Sequence, residues 1–308
     1  EPSFSSVLYR ISADGRRLFL KEHTPHDAPR IELAAQLSDR LRSHGLIAPH
    51  FLRTAEGGLY ARSDAALHTL TEPVGDRPLS VADLRDHDSA CRLGQYLARV
   101  HAAVNDPPAP DSPPSALWRN HDPASRHAHL PDTMLRALAV VGHTPAALAP
   151  PLATVAGRIG VVHGDFWPGN VIVGAARLFT LGVVDLESAC RAPLLLDVAH
   201  FADLGFRSLV GWHKTREMDL SLATTFARAY ATASSMPLDE LRVLPDLLVA
   251  ARGCSIRWLA QRHLDIGPNR MDQLVENDLS TIRFVTRNAD RWSDQLSATR
   301  PAAATVGS

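Results

Sequence analysis

Residues 163–170 read His-Gly-Asp-Phe-Trp-Pro-Gly-Asn, a short polar loop with Asp165 and Asn170 five positions apart. An apolar run, Ile159 to Val162, precedes it, and another, Val171 to Val173, follows. A carboxylate early in such a loop can face a substrate hydroxyl. An amide five residues later can then reach a metal ion. An ordinary strand–turn–strand with a capping Asp uses the same residue types, so the loop alone leaves both readings open.

Fifteen residues after Asn170, an apolar strand over 178–184 ends in Asp185-Leu186-Glu187. A β-hairpin between the two would return Asp185 to the side of Asn170. Their oxygens would then suit Mg²⁺, which takes hard oxygen donors and keeps waters and phosphate oxygens in its octahedron. Taken singly, Asp185 also reads as a strand-end turn residue. Asp197 stands twelve residues further on, opening Asp-Val-Ala-His near a predicted helix start. Of 32 basic side chains only Lys21 and Lys214 are lysines. Lys21 closes an apolar strand, where a lysine snorkelling from a core edge is the plain alternative.

The elements that must hold these residues follow from patterning. Residues 6–11 and 17–22 flank Ala13-Asp14-Gly15, a hairpin signal that puts Lys21 at a strand end. Pro29 opens a predicted helix with Ile31, Leu33, Ala34, Leu37 and Leu41 at helical spacing, Glu32 in its first turn and His44-Gly45 at its close. Short strands are expected at 51–53, 59–61 and 67–71. The connector Glu72-Pro73-Val74-Gly75-Asp76-Arg77-Pro78 is rich in Pro and Gly and marks a boundary. Ser80 and Asp83 form a capping-box-like start to a helix running to about Val104. Residues 105–115 read as an exposed Pro-rich loop. The histidines His121, His127 and His129 beyond it lack the partners of a metal site. The last hundred residues are mostly helical, over about 194–211, 216–233, 238–264 and 270–297.

Composition bounds the rest. At 308 residues the chain can form two lobes, and 45% hydrophobic with 21% charged residues is typical of soluble globular proteins. A formal net charge of −1 gives no electrostatic case for nucleic acid or an anionic membrane. No apolar run approaches the about 20 residues of a spanning helix. The start, Glu1-Pro2-Ser3-Phe4, shows no basic and apolar leader, though it also lacks Met. Cys91, Cys190 and Cys254 are odd in number and far apart, as in a reducing compartment, so the expected location is cytoplasmic.

His-Gly-Asp-Phe-Trp-Pro-Gly-Asn, Val-Val-Asp-Leu-Glu and Leu-Leu-Asp-Val-Ala together resemble the aminoglycoside phosphotransferase/choline kinase family of small-molecule kinases. The resemblance implies an α+β, bilobal protein-kinase-like fold. A small antiparallel-sheet lobe with one helix, residues 1–75, would bind nucleotide, with a hinge near 72–75. A larger, mainly helical lobe, residues 76–298, would carry the chemistry and the acceptor, ahead of a flexible tail at 299–308. Carried over by position, Asp165 is the catalytic carboxylate, and Asn170 and Asp185 are the Mg²⁺ ligands. Glu187 matches a second acid of the motif. His163 and Asp197 match structural supports of the loop. Lys21 matches the lysine on the α/β-phosphates and Glu32 its helix partner. Glu72 and Val74 fall in the hinge that meets the base. The chain departs from the pattern where a Gly-rich phosphate loop belongs. It has Ser3-Phe4-Ser5-Ser6, so Ser5 and Ser6 are the expected stand-ins, and ATP and GTP both remain open as donor.

The acceptor is the least legible part. Residues 201–308 hold thirteen Lys and Arg against twelve Asp and Glu, which gives no acidic cup for a polycation, although Asp272, Glu276 and Asp278 lie close in sequence. Trp212, Trp258 and Trp292 fit either a pocket lining or helix packing. The expected partners are a nucleoside triphosphate and a hydroxylated small molecule. That molecule would be an antibiotic, or a metabolite such as choline, homoserine, a sugar or a nucleoside. A non-catalytic nucleotide-binding module is the contrasting class.

Overall fold

The structure is a computed structural model and describes residues 7–106, 132–141, 158–174, 180–207, 209–210, 213–214, 217–261 and 268–298. Ser5, Ser6, the tail from 299 and the histidines of 121–129 lie outside these residues.

Strands β1 (Val7–Ala13) and β2 (Arg16–His23) form the expected hairpin. Asp14 and Gly15 both have positive φ, 51° and 74°, the paired left-handed geometry that matches strand twist in a two-residue turn. With β3 (Ala61–Arg62) and β4 (Leu67–Thr71) they make an antiparallel sheet of order β1-β2-β4-β3. Of the short strands expected at 51–53 and 59–61, only the second forms, as the two-residue β3; Phe51 makes a lone bridge to Thr71. The register pairs Leu8 with Lys21 and Lys21 with Thr69, and Phe19 with Thr71. Because cross-strand partners share a face, Leu8, Phe19, Lys21 and Thr69 project from one side of the sheet.

Helix α1 (Ala28–Ser43) buries Ile31, Ala34, Ala35, Leu37, Ser38 and Leu41, and Gly45 at φ 72° ends it. The chain then crosses to the second lobe, where Ile47 accepts a hydrogen bond from Val183 N at 3.0 Å. The connector is not a free linker, since Arg77–Pro78 forms β5 against β7 (Val171–Val173), which pairs in turn with β8 (Leu181–Val183). Gly182 is where these segments meet, and a Cβ there would collide with Val74 and crowd Ile47.

The Ser80–Asp83 box caps only the short turn Val81–Leu84. Two hydrogen bonds from Arg77 hold Asp83, and α2 (His87–Val104) starts afresh with Asp86 accepting from Ser89 N at 2.8 Å. After α3 (Asp132–Val141), strand β6 (Ile159–Val162) pairs with β9 (Cys190–Pro193). Helix α4 (Leu195–Gly205) is shorter than expected and gives way to the two-stranded β10 (Leu209–Val210) and β11 (His213–Lys214). Gly205 packs under the Phe201 ring with no room for a Cβ. Helices α5 (Leu220–Ala233), α6 (Leu244–Gln261) and α7 (Pro268–Ser297) complete the lobe.

One apolar core runs from α1 through α2 and the central strands into α4–α7. Phe201 sits between Phe166 and Phe226, at centroid separations of 5.4 and 5.0 Å. Phe166 belongs to the polar loop, so burying it anchors that loop at about 1.5–3 kcal/mol for a side chain of this size. Trp292 is fully buried in this core and is packing, not pocket lining. Trp212 and the side chain of Trp258 lie outside the described residues. In the last turn of α4, the buried Asp203 binds Arg207 and Arg252, each at 2.9 Å, and Arg252 approaches Asp278 at 3.6 Å. Asp278 is therefore spent on helix packing and forms no acidic cup. Among the described residues, no helix is long and apolar enough to cross a membrane.

Candidate active site

The loop from β6 to β7 is fixed at its base by a buried carboxylate. Asp197, in the first turn of α4, accepts from His163 N at 2.7 Å and Gly164 N at 2.9 Å. Its Oδ2 also meets His101 Nε2 at 2.9 Å, and His101 Nδ1 lies 2.9 Å from the Tyr230 hydroxyl. Burial alone would raise the Asp197 carboxyl. The hydrogen bond and charge of His101, with the loop N–H groups, hold it below the usual carboxylate range. Gly164 has φ 80° and no space for a Cβ against the Ser188 carbonyl. His163 is buried, and its Nε2 donates to Val184 O at 2.7 Å while Nδ1 accepts from Asp165 N at 3.3 Å. Both ring nitrogens are committed to the scaffold.

Asp165 and Asn170 meet as their spacing suggests. Asn170 Nδ2 donates to Asp165 Oδ2 at 3.0 Å and to its carbonyl at 2.9 Å. That orientation leaves Asn170 Oδ1 as the acceptor end of the amide. The hairpin closes as expected: Val171 pairs with Val183, and Val184 N donates to Asn170 O at 3.0 Å. Asp185 stands one residue beyond, at φ 65° and ψ 47°, a left-handed conformation that Asp tolerates better than most residues. Trp167 packs over Gly169, which has no space for a side chain.

From the other lobe, Lys21 Nζ reaches Asp185 Oδ1 at 2.5 Å and Glu187 Oε1 at 3.0 Å. Burial would lower the Lys21 ammonium, but the Glu187 and Asp185 charges outweigh it and raise its affinity for the proton. Burial likewise pushes both carboxyls up. At Asp185 the Lys21 charge wins and holds it below its usual range, whereas Glu187, deeper and beside Asp185, stays above. His23, beside Glu187 and bonded to Thr69 Oγ1 at 2.9 Å, is pushed down to about 4 by burial and by Lys21.

Glu32 is a correction. It does not pair with Lys21, because it lies on the exposed side of α1, off the face that carries Ile31, Ala34 and Ala35. The acids that meet Lys21 are Asp185 and Glu187. Glu72 pairs through its side chain with Arg16 and with His50 Nδ1 at 3.1 Å, and its N–H donates to His50 O. Val74 packs at Gly182 beside it. His101 and Tyr230 escaped the sequence reading. His101 shares a helix face with Leu97 and Val100, which looks like core, and only the fold brings Tyr230 to it. His200 was also passed over; its Nε2 lies 3.4 Å from Asp165 Oδ1.

A family model described as the phosphotransferase enzyme family matches residues 3–240. No curated protein matches the chain by sequence. Several solved structures share the fold at low identity. An amicoumacin kinase in complex with AMP-PNP, Ca²⁺ and Ami aligns at TM-score 0.68 and 15% identity, over 93% of this chain and 86% of that one. A Plasmodium vivax ethanolamine kinase aligns at 0.65 and 12%, over 92% and 84%. A GDP complex of a mutant aminoglycoside 2′-phosphotransferase aligns at 0.58 and 13%, over 95% and 92%. With its bilobal protein-kinase-like fold, the chain belongs to the phosphotransferase enzyme family and is a small-molecule phosphotransferase.

Proposed function

We propose that this chain transfers the γ-phosphoryl group of ATP or GTP to a hydroxyl of a small molecule, with Mg²⁺ as the metal. The observation that carries this reading is the Asp165–Asn170 hydrogen bond, with Asp185 on the adjoining hairpin and Lys21 reaching Asp185 from the other lobe. Asn170 Oδ1 and the half-exposed Asp185 carboxylate are hard oxygen donors, and they fit a magnesium ion that also takes phosphate oxygens and water. When bound, the ion supplies charge neutralisation to the triphosphate.

In this reading the lobes divide at 72–75, with nucleotide above and acceptor below. Pro73 has no N–H and the Glu72 N–H is engaged by His50, so the Glu72 carbonyl and Val74 N–H are the hinge groups for a base edge. Lys21, held charged, turns to the α/β-phosphates. Asp165 holds the acceptor hydroxyl in line and takes its proton. The acceptor oxygen bonds to the γ-phosphorus, and the bridging oxygen leaves with the electron pair on the nucleoside diphosphate. Alignment and electrostatics do most of this work.

The acceptor is an antibiotic in the first reading, whether aminoglycoside or another hydroxylated scaffold, and a metabolite such as choline, homoserine, a sugar or a nucleoside in the second. A non-catalytic nucleotide-binding role has the Ser3-Phe4-Ser5-Ser6 start in its favour. Against it stand Asp165, Asn170, Asp185 and Lys21, linked in turn by a side-chain hydrogen bond, the hairpin and an ion pair. The test is a panel of aminoglycosides, peptide antibiotics, nucleosides, choline, homoserine and sugars with Mg²⁺ and either nucleotide. Mass spectrometry should find one class gaining a phosphoryl group. Nucleotide binding with no transfer to any class would support the non-catalytic role.

A further inference from the structure

Helix α4 places two groups three residues apart on one face: Asp197, which grips the loop backbone, and His200. The His200 side chain is mostly buried at 18% exposure. Its Nε2 is buried without a hydrogen-bond partner and lies 3.4 Å from Asp165 Oδ1, within ion-pair reach but not aligned as a hydrogen bond. An unmet buried nitrogen is costly, and the carboxylate oxygen beside it is the natural partner. Catalytic hydrogen bonds often stand long in the free enzyme and tighten when substrate binds.

We infer that His200 is a positioning residue for Asp165, donating its Nε2–H to Oδ1 as the acceptor closes on the site. The inference rests on the phosphotransferase reading with Asp165 as the acceptor's carboxylate. Asn170 Nδ2 already fixes Oδ2. With His200 on Oδ1, both oxygens are held and the carboxylate plane can no longer turn. Each oxygen keeps a lone pair, so one stays available to the acceptor O–H. One rigid helix then sets both the backbone of the loop and the orientation of its reactive side chain. Charge-assisted hydrogen bonds of this kind are shorter and roughly twice as strong as neutral ones.

The test compares His200→Leu, His200→Gln and Asp165→Asn for nucleoside diphosphate formation from MgATP in the presence of the acceptor panel, alongside thermal melts. Leu removes the donor at similar volume, and Gln returns an N–H. The expected result is a roughly ten- to hundredfold fall in kcat for His200→Leu, with the KM for ATP and the melting temperature unchanged. His200→Gln should recover much of that loss. A purely structural histidine would instead lower the melting temperature and leave the turnover of folded protein alone. Wild-type kcat in His200→Leu beside an inert Asp165→Asn would overturn this inference and leave the phosphotransferase reading standing. Wild-type turnover in Asp165→Asn would overturn the reading of the site and this inference with it.

Discussion

His23 and Lys21 are two residues apart on one strand, and burial acts on both, yet they end in opposite states. Lys21 finds two carboxylates within 3.0 Å and keeps its charge. His23 finds a hydroxyl and that same lysine, and is neutral down to about pH 4. Its folded value lies below its ordinary 6.5, so the unfolded chain binds the extra proton as pH falls. The His23 contribution is therefore fully kept above about pH 6.5 and lost progressively down to about pH 4, by at most a few kcal/mol. Urea unfolding of wild type and His23→Gln across that window should show a shallower pH slope in the variant. Equal slopes would contradict the account of a buried neutral imidazole.

Among the elements, α4 links the 163–170 loop to the helical lobe. Its first turn holds the 163–170 loop through Asp197, and its last turn ties the helical lobe together through Asp203. That carboxylate is fully buried and shared by Arg207, Arg252 and the Thr281 hydroxyl at 3.1 Å, joining α4 to α6 and α7. Removing one member leaves buried guanidinium charge uncompensated, so Asp203→Ala should cost about 3–5 kcal/mol in chemical denaturation. A loss below about 1 kcal/mol would show the cluster to be well hydrated. Much of this level was legible in the sequence where a local rule applied. Asp14-Gly15 announced its hairpin, and Gly45 its helix end. It was not legible where tertiary contacts decided. Arg77–Pro78 and Cys190–Pro193 carry a proline and a charge yet become strands, because each has a waiting partner in β7 or β6. The helix expected to run on to 211 ends at Gly205, where the missing Cβ leaves room for the Phe201 ring.

For the whole molecule, Lys21 joins the candidate site only because the sheet lobe meets the helical one. The single residues were readable from types and intervals: Asp165 to Asn170 by a five-residue loop, Asn170 to Asp185 by a hairpin. The partner of Lys21 was not. Glu32 and Glu187 are both acids on plausible elements, and only the tertiary fold brings Glu187 and Asp185 to Lys21. Asp197 and Tyr230 likewise both bond His101, in a chain of hydrogen bonds between residues 96 and 129 positions apart along the sequence, which no local pattern reports. The central claim is that this assembly serves one carboxylate that orients an acceptor hydroxyl. Its most direct test is phosphoryl transfer by wild type and Asp165→Asn to the acceptor the panel identifies, with the nucleotide Kd measured on the same samples. The account predicts a fall in kcat of about 10²–10⁴-fold with Kd essentially unchanged. Near-wild-type kcat in Asp165→Asn would contradict it.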